Sequence, residues 1–425
     1  MTKFLQIRAE DEVRLIAGAR DIEPVRGLTH TFYRYPARFS QSFARAAIEA
    51  FSEPGDLIMD PHVGGGTSLV EALALGRDAV GVDISSLAEF VATVKTTVFS
   101  DEELLLLDCW AKALPDAIDI RRPSIHFADY YDRGYYKHLD HPQRWRARKA
   151  VEQALASAMG LPPQLEDFGR CVVLRTAQMA LDGRRTVISV PAMRELFGKN
   201  AREMVTGARR FREAVAMHEQ RPKAQILFRS AAGIEDDARL ASVRAPRVVV
   251  TSPPYPGVHV LYHRWQVGGG RETAAPFWIA KKLDGAGASY YTMGDRKKPE
   301  KSGYFAKVQA TMSSVAALCD GDTVFVQMLA FHEPEWQLQR YLQAMEAAGL
   351  SEVFLPSLAR ELDGRLWRNV PNRKWYSDQQ GDTPASKEVV LLHRLSDAGI
   401  IASRARRALM QPSAASLATS GTTAQ

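Results

Sequence analysis

The 425-residue chain contains only three cysteines, Cys109, Cys171 and Cys319, and none of them forms a CxxC pair. That scarcity excludes a disulfide framework and a cysteine-based metal site. No stretch approaches the roughly 18–20 uninterrupted apolar residues that a membrane span requires, so no membrane partner is expected. The N-terminal segment MTKFLQIRAEDEV lacks an apolar signal-peptide core, and a cytoplasmic location is the expectation. GxGxxG and GxxxxGK[ST] are both missing, and with them the usual dinucleotide and phosphate-loop fingerprints. What remains is a globular composition, 46% hydrophobic and 24% charged, long enough for two or three folding units or for one unit with a large insertion. The net charge of +6 permits a nucleic-acid partner without establishing one.

Hydrophobic periodicity divides the chain. Residues 1–28 are mixed and polar, an N-terminal extension with one helix. From Thr31 to Ile84 the pattern reads strand, loop, helix, strand. DLIM ends at Asp60, Gly64 to Gly66 make a turn, Thr67 is placed to cap the helix SLVEALAL, and DAVGVDI is the next strand. This is one βαβ unit of a parallel sheet. Residues 101–223 then carry apolar residues at helical spacing and few strand-like runs, as an inserted subdomain would. The sheet pattern resumes in AQILF, RVVVTS, TVFVQMLAF, SEVFL and KEVVLLHRL, and EWQLQRYLQAMEAAGL supplies a helix ended by Gly349. The expected fold is therefore α/β, a Rossmann-like doubly wound sheet over 29–100 and 224–400 with a large helical insertion. A low-complexity, disordered tail is expected over 408–425.

A strand ending in Asp60, followed by PHVGGGT and a helix, brings backbone close to a ligand, because glycine leaves no Cβ in the way. A plain tight turn would do the same, but Asp83 closes the next strand, 17 residues after Gly66. A carboxylate at that point accepts hydrogen bonds from ribose hydroxyls. Glycine turn and Asp83 together point to an adenosine-containing cofactor. With the dinucleotide and ATP fingerprints missing, S-adenosylmethionine is the best candidate.

The second constellation is RVVVTSPPY, Arg247 to Tyr255, in which a β-branched strand runs into two prolines that cannot continue a sheet ladder. An exocyclic amino group is a poor nucleophile because its lone pair is delocalised into the base. Two acceptors aimed at its protons, the Ser252 hydroxyl and the Pro253 carbonyl, favour a tetrahedral nitrogen and stabilise the charge that develops on attack. Tyr255 offers a stacking face for a base rotated out of the duplex.

DPHVGGGT with GVDIS, and TSPPY downstream, resemble the cofactor and catalytic motifs of the DNA amino-methyltransferases. THTFYRYPARFS, Thr29 to Ser40, resembles the segment that completes the cofactor's methionine pocket in that family. The resemblance implies cofactor contacts at Phe32, Tyr33, Arg38, Phe39, Asp60, Pro61, His62, Gly64, Gly66, Thr67, Asp83, Ile84 and Thr251. It implies a catalytic turn of Ser252, Pro253, Pro254 and Tyr255. SPPY is the version associated with cytosine N4, so the expected activity is methyl transfer from S-adenosylmethionine to that amino group by direct in-line displacement. His62 stands where the family usually has Phe; it is read as a tolerated substitution in the pocket wall, on a ring able to titrate near neutral pH. No cysteine follows a proline, which argues against methylation at cytosine carbon 5.

Charge locates the expected DNA contacts. From Arg121 to Lys223 there are 20 Lys/Arg against 11 Asp/Glu, a net of +9, which leaves 35 against 38 elsewhere. Arg144, Arg146, Arg148, Lys149, Arg209 and Arg210 in this insertion, with Arg264 and Trp265 after the catalytic turn, are the expected contacts to double-stranded DNA. A solvated helical surface is the plain alternative for the arginine runs. A packed aromatic helix is an equal alternative for the stretch around Trp265. His138 and His141 complete no metal site. Adenine N6 or an RNA amino group remain alternative targets, and a catalytically silent nucleic-acid-binding protein on the same fold is a third reading. A restriction nuclease is a candidate partner; the recognition sequence and oligomeric state stay open.

Overall fold

The computed structural model describes residues 3–35, 40–123, 127–256, 264–285, 291, 293, 303–331, 333–359, 363–369 and 387–410. The chain opens with α1 (Ala9–Arg20), α2 (Gln41–Phe51), β1 (Leu57–Asp60), α3 (Thr67–Ala74), β2 (Asp78–Asp83) and α4 (Ser86–Thr96). A helical run follows: α5 (Asp101–Ala117), α6 (Ala128–Asp132), α7 (Trp145–Met159), α8 (Pro163–Leu181) and α9 (Val190–Ala216). Then come β3 (Ala224–Phe228), β4 (Val248–Thr251), β5 (Trp265–Val267), β6 (Arg271–Thr273), α10 (Ala275–Ile279), α11 (Tyr304–Leu318), β7 (Val324–Leu329) and α12 (Pro334–Ala347). The last elements are β8 (Leu350–Val353), β9 (Leu366–Asn369), β10 (Lys387–Leu395) and α13 (Asp397–Met410).

Local chemistry explains the boundaries. Ser100 and Glu103 form a reciprocal capping box at the start of α5, and the Ser189 hydroxyl caps α9. Gly76 and Gly349 stop α3 and α12 with φ near +80°, a backbone conformation costly for any residue with a Cβ. Thr67 does not cap α3. Gly66 occupies the cap position at φ +75°, and Thr67 is the first helical residue with its side chain buried. Only glycine takes that left-handed cap easily, and Ala92 lies 3.1 Å from where a Cβ would sit.

The main sheet has the order β3-β2-β1-β4-β7-β10-β8, with β9 beside β10. Every strand on that path runs parallel except β10, which is antiparallel to both β7 and β8. The strand order turns about β1: β2 and β3 lie on one side, β4 and the later strands on the other. That makes a switch point between β1 and β4, where the helices that follow leave on opposite faces and open a crevice. Alternate residues of β1 and β4 serve two cores. Ile58, Val248 and Val250 face α1 to α3, while Met59 and Val249 face α11 and α12. This is the expected doubly wound α/β sheet.

A third core belongs to the helical run between β2 and β3. It buries Leu107, Trp110, Leu155, Phe168 and Phe197, and it also takes in Phe32, Tyr33 and Tyr35 from before β1. Trp265, Val267, Phe277 and Trp278 join the same core. The segment after the catalytic turn is thus neither a long helix nor a loose loop from Arg264 on. It forms the β5–β6 pair and short α10, packed on the insertion rather than on the sheet. The boundary drawn at residue 224 misses it because a burial partner distant in sequence leaves no periodic trace. Phe4 pairs with Phe354 beside β8, so the N-terminal extension adds to the sheet edge. Helix α13 runs to Met410, past the expected start of the tail at Ala408; residues 411–425 lie outside the described residues.

Candidate active site at the strand ends

β1, β2 and β4 end side by side, and their last residues bring Asp60, Asp83 and Thr251 to one edge. Asp60 is 1% exposed and is held by neutral donors alone: the Ser68 hydroxyl at 2.5 Å, the Thr251 hydroxyl at 2.9 Å and the His62 amide at 3.0 Å. Asp83 accepts the Gly64 amide at 2.9 Å on one oxygen and the Ser85 amide at 2.8 Å on the other. It therefore fastens the glycine turn to the start of α4. Burial pushes both carboxyls up, each to about 6, because among the described residues no cation is paired with either.

His62 is half-buried, with Nδ1 3.2 Å from the Thr251 hydroxyl oxygen. The single Thr251 proton goes to Asp60, so Nδ1 carries a hydrogen and donates to Thr251. Burial pushes the imidazole down to about 4, which corrects the expectation of titration near neutrality. At neutral pH the ring is uncharged.

Tyr35 closes the turn from above: a Cβ on Gly65 would meet the Tyr35 Cβ at 2.8 Å. Tyr33 is buried and accepts the Trp265 indole N–H at 3.0 Å. The Gln178 side chain of α8 clamps the Arg34 backbone, accepting from its amide and donating to its carbonyl. Lys95, wholly buried, donates from Nζ to the Gly65 carbonyl at 2.7 Å. The pocket segment and the turn are thus held from the insertion side as well as from the sheet. Phe32 lies in the third core against Phe168, away from solvent. Arg38 and Phe39 lie outside the described residues.

The Ser-Pro-Pro-Tyr turn continues from β4 next to Asp60. Ser252 Oγ is 3.2 Å from the Tyr255 hydroxyl, and that hydroxyl donates to Glu388 Oε1 at 2.7 Å. Glu388 Oε2 accepts Arg368 Nε at 2.8 Å and Nη2 at 2.6 Å. Tyr304, at the start of α11, donates to the Pro254 carbonyl at 2.8 Å. Sequence reasoning missed Glu388, Arg368 and Tyr304. A Glu at the start of KEVVLLHRL reads as a solvated strand end. Antiparallel β10 begins where the parallel strands finish, with Val389 opposite Leu329, and this carries Glu388 to the site.

The expected DNA contacts separate into two groups. Trp265 and Arg144 turn inward, 1% and 5% exposed, with Arg144 Nη1 donating to the His138 carbonyl. A role at a DNA surface does not fit these two, whose side chains fill the third core and its edge. Arg148 pairs with Asp140 and Glu152, Arg209 with Asp108, and Arg264 with Asp284. Arg146 and Arg210 are exposed with no ion pair among the described residues, and Arg146 stacks over the Trp145 ring at 5.3 Å. Lys149 is half-buried.

With this geometry in view, residues 19–93 match a family model described as DNA methylase. The match spans α2, the glycine turn, Asp83 and most of α4. Type II methyltransferase M.MvaI of Kocuria varians is 34% identical over 114 residues, 26% of this chain and 23% of that protein. DNA adenine methyltransferase YhdJ of Escherichia coli K12 is 33% identical over 66 residues, 16% of this chain and 22% of that protein. Among solved structures, the rRNA methyltransferase aviRa of Streptomyces viridochromogenes aligns with 95% of this chain and 97% of its own, at 13% identity and a TM-score of 0.32. The chain spans between 14% and 23% of the length of the curated relatives it matches. No helix among the described residues is long and apolar enough to cross a membrane.

Proposed function

We propose that this protein is an S-adenosylmethionine-dependent DNA methyltransferase that acts on an exocyclic amino group, with cytosine N4 as its target. This rests on one observation: a glycine turn with two buried carboxylates and a Ser-Pro-Pro-Tyr turn meet at the switch point of one sheet. The residues present fit the cofactor. The Asp83 carboxylate accepts the backbone amides of Gly64, Ser85 and Ile84, and its two oxygens keep a lone pair for a ribose hydroxyl. Gly64 and Gly66, both at positive φ, let the chain turn tightly between Tyr35 and Ala92. Two anions with no cationic partner among the described residues complement a sulfonium. Asp83, Ile84 and the turn from Asp60 to Thr67 would hold the adenosine and methionine parts, beside Tyr33 and Tyr35.

When bound, the cofactor supplies an electrophilic methyl group. Ser252 Oγ and the Pro253 carbonyl accept the protons of the target amino group and localise its lone pair. The Tyr255 ring, held at its hydroxyl, presents a face to a flipped base. Asp60 and Thr251 fix the end of β4 and so the position of Ser252. On the nucleic-acid side, Arg146 with Trp145, and Arg210, offer exposed cations for phosphate and stacking contacts.

The test is incubation with labelled cofactor and unmethylated DNA, followed by mass spectrometry of the nucleosides. Label on N4 of cytosine is the expected result. Label on N6 of adenine would move the target, an outcome favoured by the likeness to the adenine methyltransferase. Cofactor binding by calorimetry without any methylated nucleoside would overturn the enzymatic reading.

A further inference from the structure

The hydroxyl pair at the catalytic turn has a direction that its distances alone do not give. Ser252 Oγ and the Tyr255 hydroxyl lie 3.2 Å apart, and either could donate. Glu388 decides between them. Its ionised carboxylate only accepts, and Tyr255 has a single hydroxyl proton, which goes to Glu388 Oε1 at 2.7 Å. The Tyr255 oxygen then receives the Ser252 proton. Ser252 Oγ is left with its lone pairs outward, the state that an amino group with two protons requires.

We infer that Glu388 is a positioning residue that acts through Tyr255 to hold the Ser252 hydroxyl as an acceptor toward the target amino group. The inference rests on the amino-methyltransferase reading. Glu388 is itself held: Oε2 takes two N–H groups of Arg368, which sits directly opposite it on β9. Arg368 also donates from Nη1 to the Ala19 carbonyl at the end of α1, so the relay is anchored outside the site.

That anchoring makes an isosteric test informative. In Glu388→Gln, the two Arg368 donors retain the amide oxygen, and the amide NH2 turns toward Tyr255. The Tyr255 proton must then point at Ser252, and the Ser252 proton points at the substrate. The chain of donors is inverted while every heavy atom keeps its place. Tyr255→Phe removes the relay and frees the Ser252 proton to rotate, which is milder.

Methyl transfer to unmethylated DNA is measured for the wild type, E388Q, Y255F and the double variant, with thermal melting and cofactor calorimetry on each. E388Q is expected to lose at least about tenfold in kcat with KM for DNA and cofactor within about twofold, since one misdirected hydrogen bond is worth about this factor. Y255F is expected to lose about threefold. In the double variant the E388Q penalty disappears, because Glu388 no longer communicates with Ser252, and the rate returns to that of Y255F. A merely structural Glu388 would carry its full penalty into the Y255F background, and that result overturns the inference. Wild-type kcat in Y255F overturns it as well, whether or not E388Q folds. A wild type that binds cofactor and methylates no nucleoside defeats the functional reading instead. An active wild type with S252A silent and both E388Q and Y255F unimpaired defeats only the relay.

Discussion

Charge is treated in opposite ways at the strand ends and in the helical insertion. At the strand ends, Asp60 and Asp83 are held by hydroxyls and backbone amides, with no cationic partner among the described residues, and burial pushes each up to about 6. In the insertion, five arginines are paired locally: Arg148 with Asp140 and Glu152, Arg170 with Glu166, Arg175 with Glu203, Arg209 with Asp108 and Arg212 with Asp101; of these acids only Asp108 and Asp101 lie outside the stretch that carries the +9, so most of that excess remains. Negative charge left uncompensated in a crevice favours a cationic ligand, whereas positive charge already paired on a surface contributes little to binding. Net charge thus did not say which arginines of the insertion are free of partners, and it gave no hint of the strand ends.

The comparison can be broken most directly at the Ser-Pro-Pro-Tyr turn, where the group proposed to face the substrate is a neutral hydroxyl. Ser252→Ala should reduce kcat by about 10²–10³, the usual loss for one transition-state hydrogen bond, while calorimetry shows cofactor affinity within about twofold of wild type. Unchanged turnover would remove Ser252 from the reaction. Next in size is Asp83→Ala, which strands the Gly64 and Ser85 amides. Cofactor affinity should fall about 100-fold by calorimetry, in line with about 1.5–3 kcal/mol for a hydrogen bond to a charged group.

The uncompensated carboxylates also predict a pH dependence. Their folded pKa, about 6, lies above the ordinary carboxylate value. They therefore favour the fold at low pH, and that contribution is lost as pH rises through 6. A bound cation prefers the ionised forms, so its affinity is full above pH 6 and falls as pH drops through it. The rise in melting temperature on adding cofactor should therefore grow from pH 5 to pH 7.5; a constant or shrinking shift would show that these carboxylates do not face the ligand's charge.

A smaller effect separates paired from unpaired arginines. Arg146→Ala should weaken DNA binding about three- to tenfold and lower the salt slope by about one, whereas Arg209→Ala should leave both unchanged in a filter-binding or anisotropy titration. Equal losses would mean that the Arg209–Asp108 pair opens on DNA. Smallest of all, His62→Phe should change kcat and cofactor affinity by less than about twofold, because a neutral ring donating one hydrogen bond to Thr251 is all that is lost.

Much of the sheet was legible because its signals are local. DLIM before Asp60, the three glycines, DAVGVD and VVVT each announce a strand or turn within a few residues. The doubly wound sheet, with Asp60, Asp83 and Ser252 at strand ends, follows from them. Three kinds of feature were not legible. Gly66 replaced Thr67 as cap because positive φ decides that position, and φ is not written in residue type alone. Trp265 and Arg144 looked like contacts for nucleic acid until the third core took in the β5–β6 pair. Glu388 looked like an ordinary charge at a strand end, 133 residues from Tyr255.

By itself, then, the sequence determined that Asp60, Asp83 and Ser252 would lie at strand ends, because a strand that ends in a glycine or proline turn must present its last residues at the sheet edge. Tertiary structure alone decided how those groups are set. The reversed direction of β10 brought Glu388 to Tyr255, the cross-strand register gave it Arg368, and ion pairing across α5, α7 and α9 determined which arginines remain available. Hydrogen-bond direction and charge compensation belong to groups that meet in space, and a linear order of residues holds no record of those meetings.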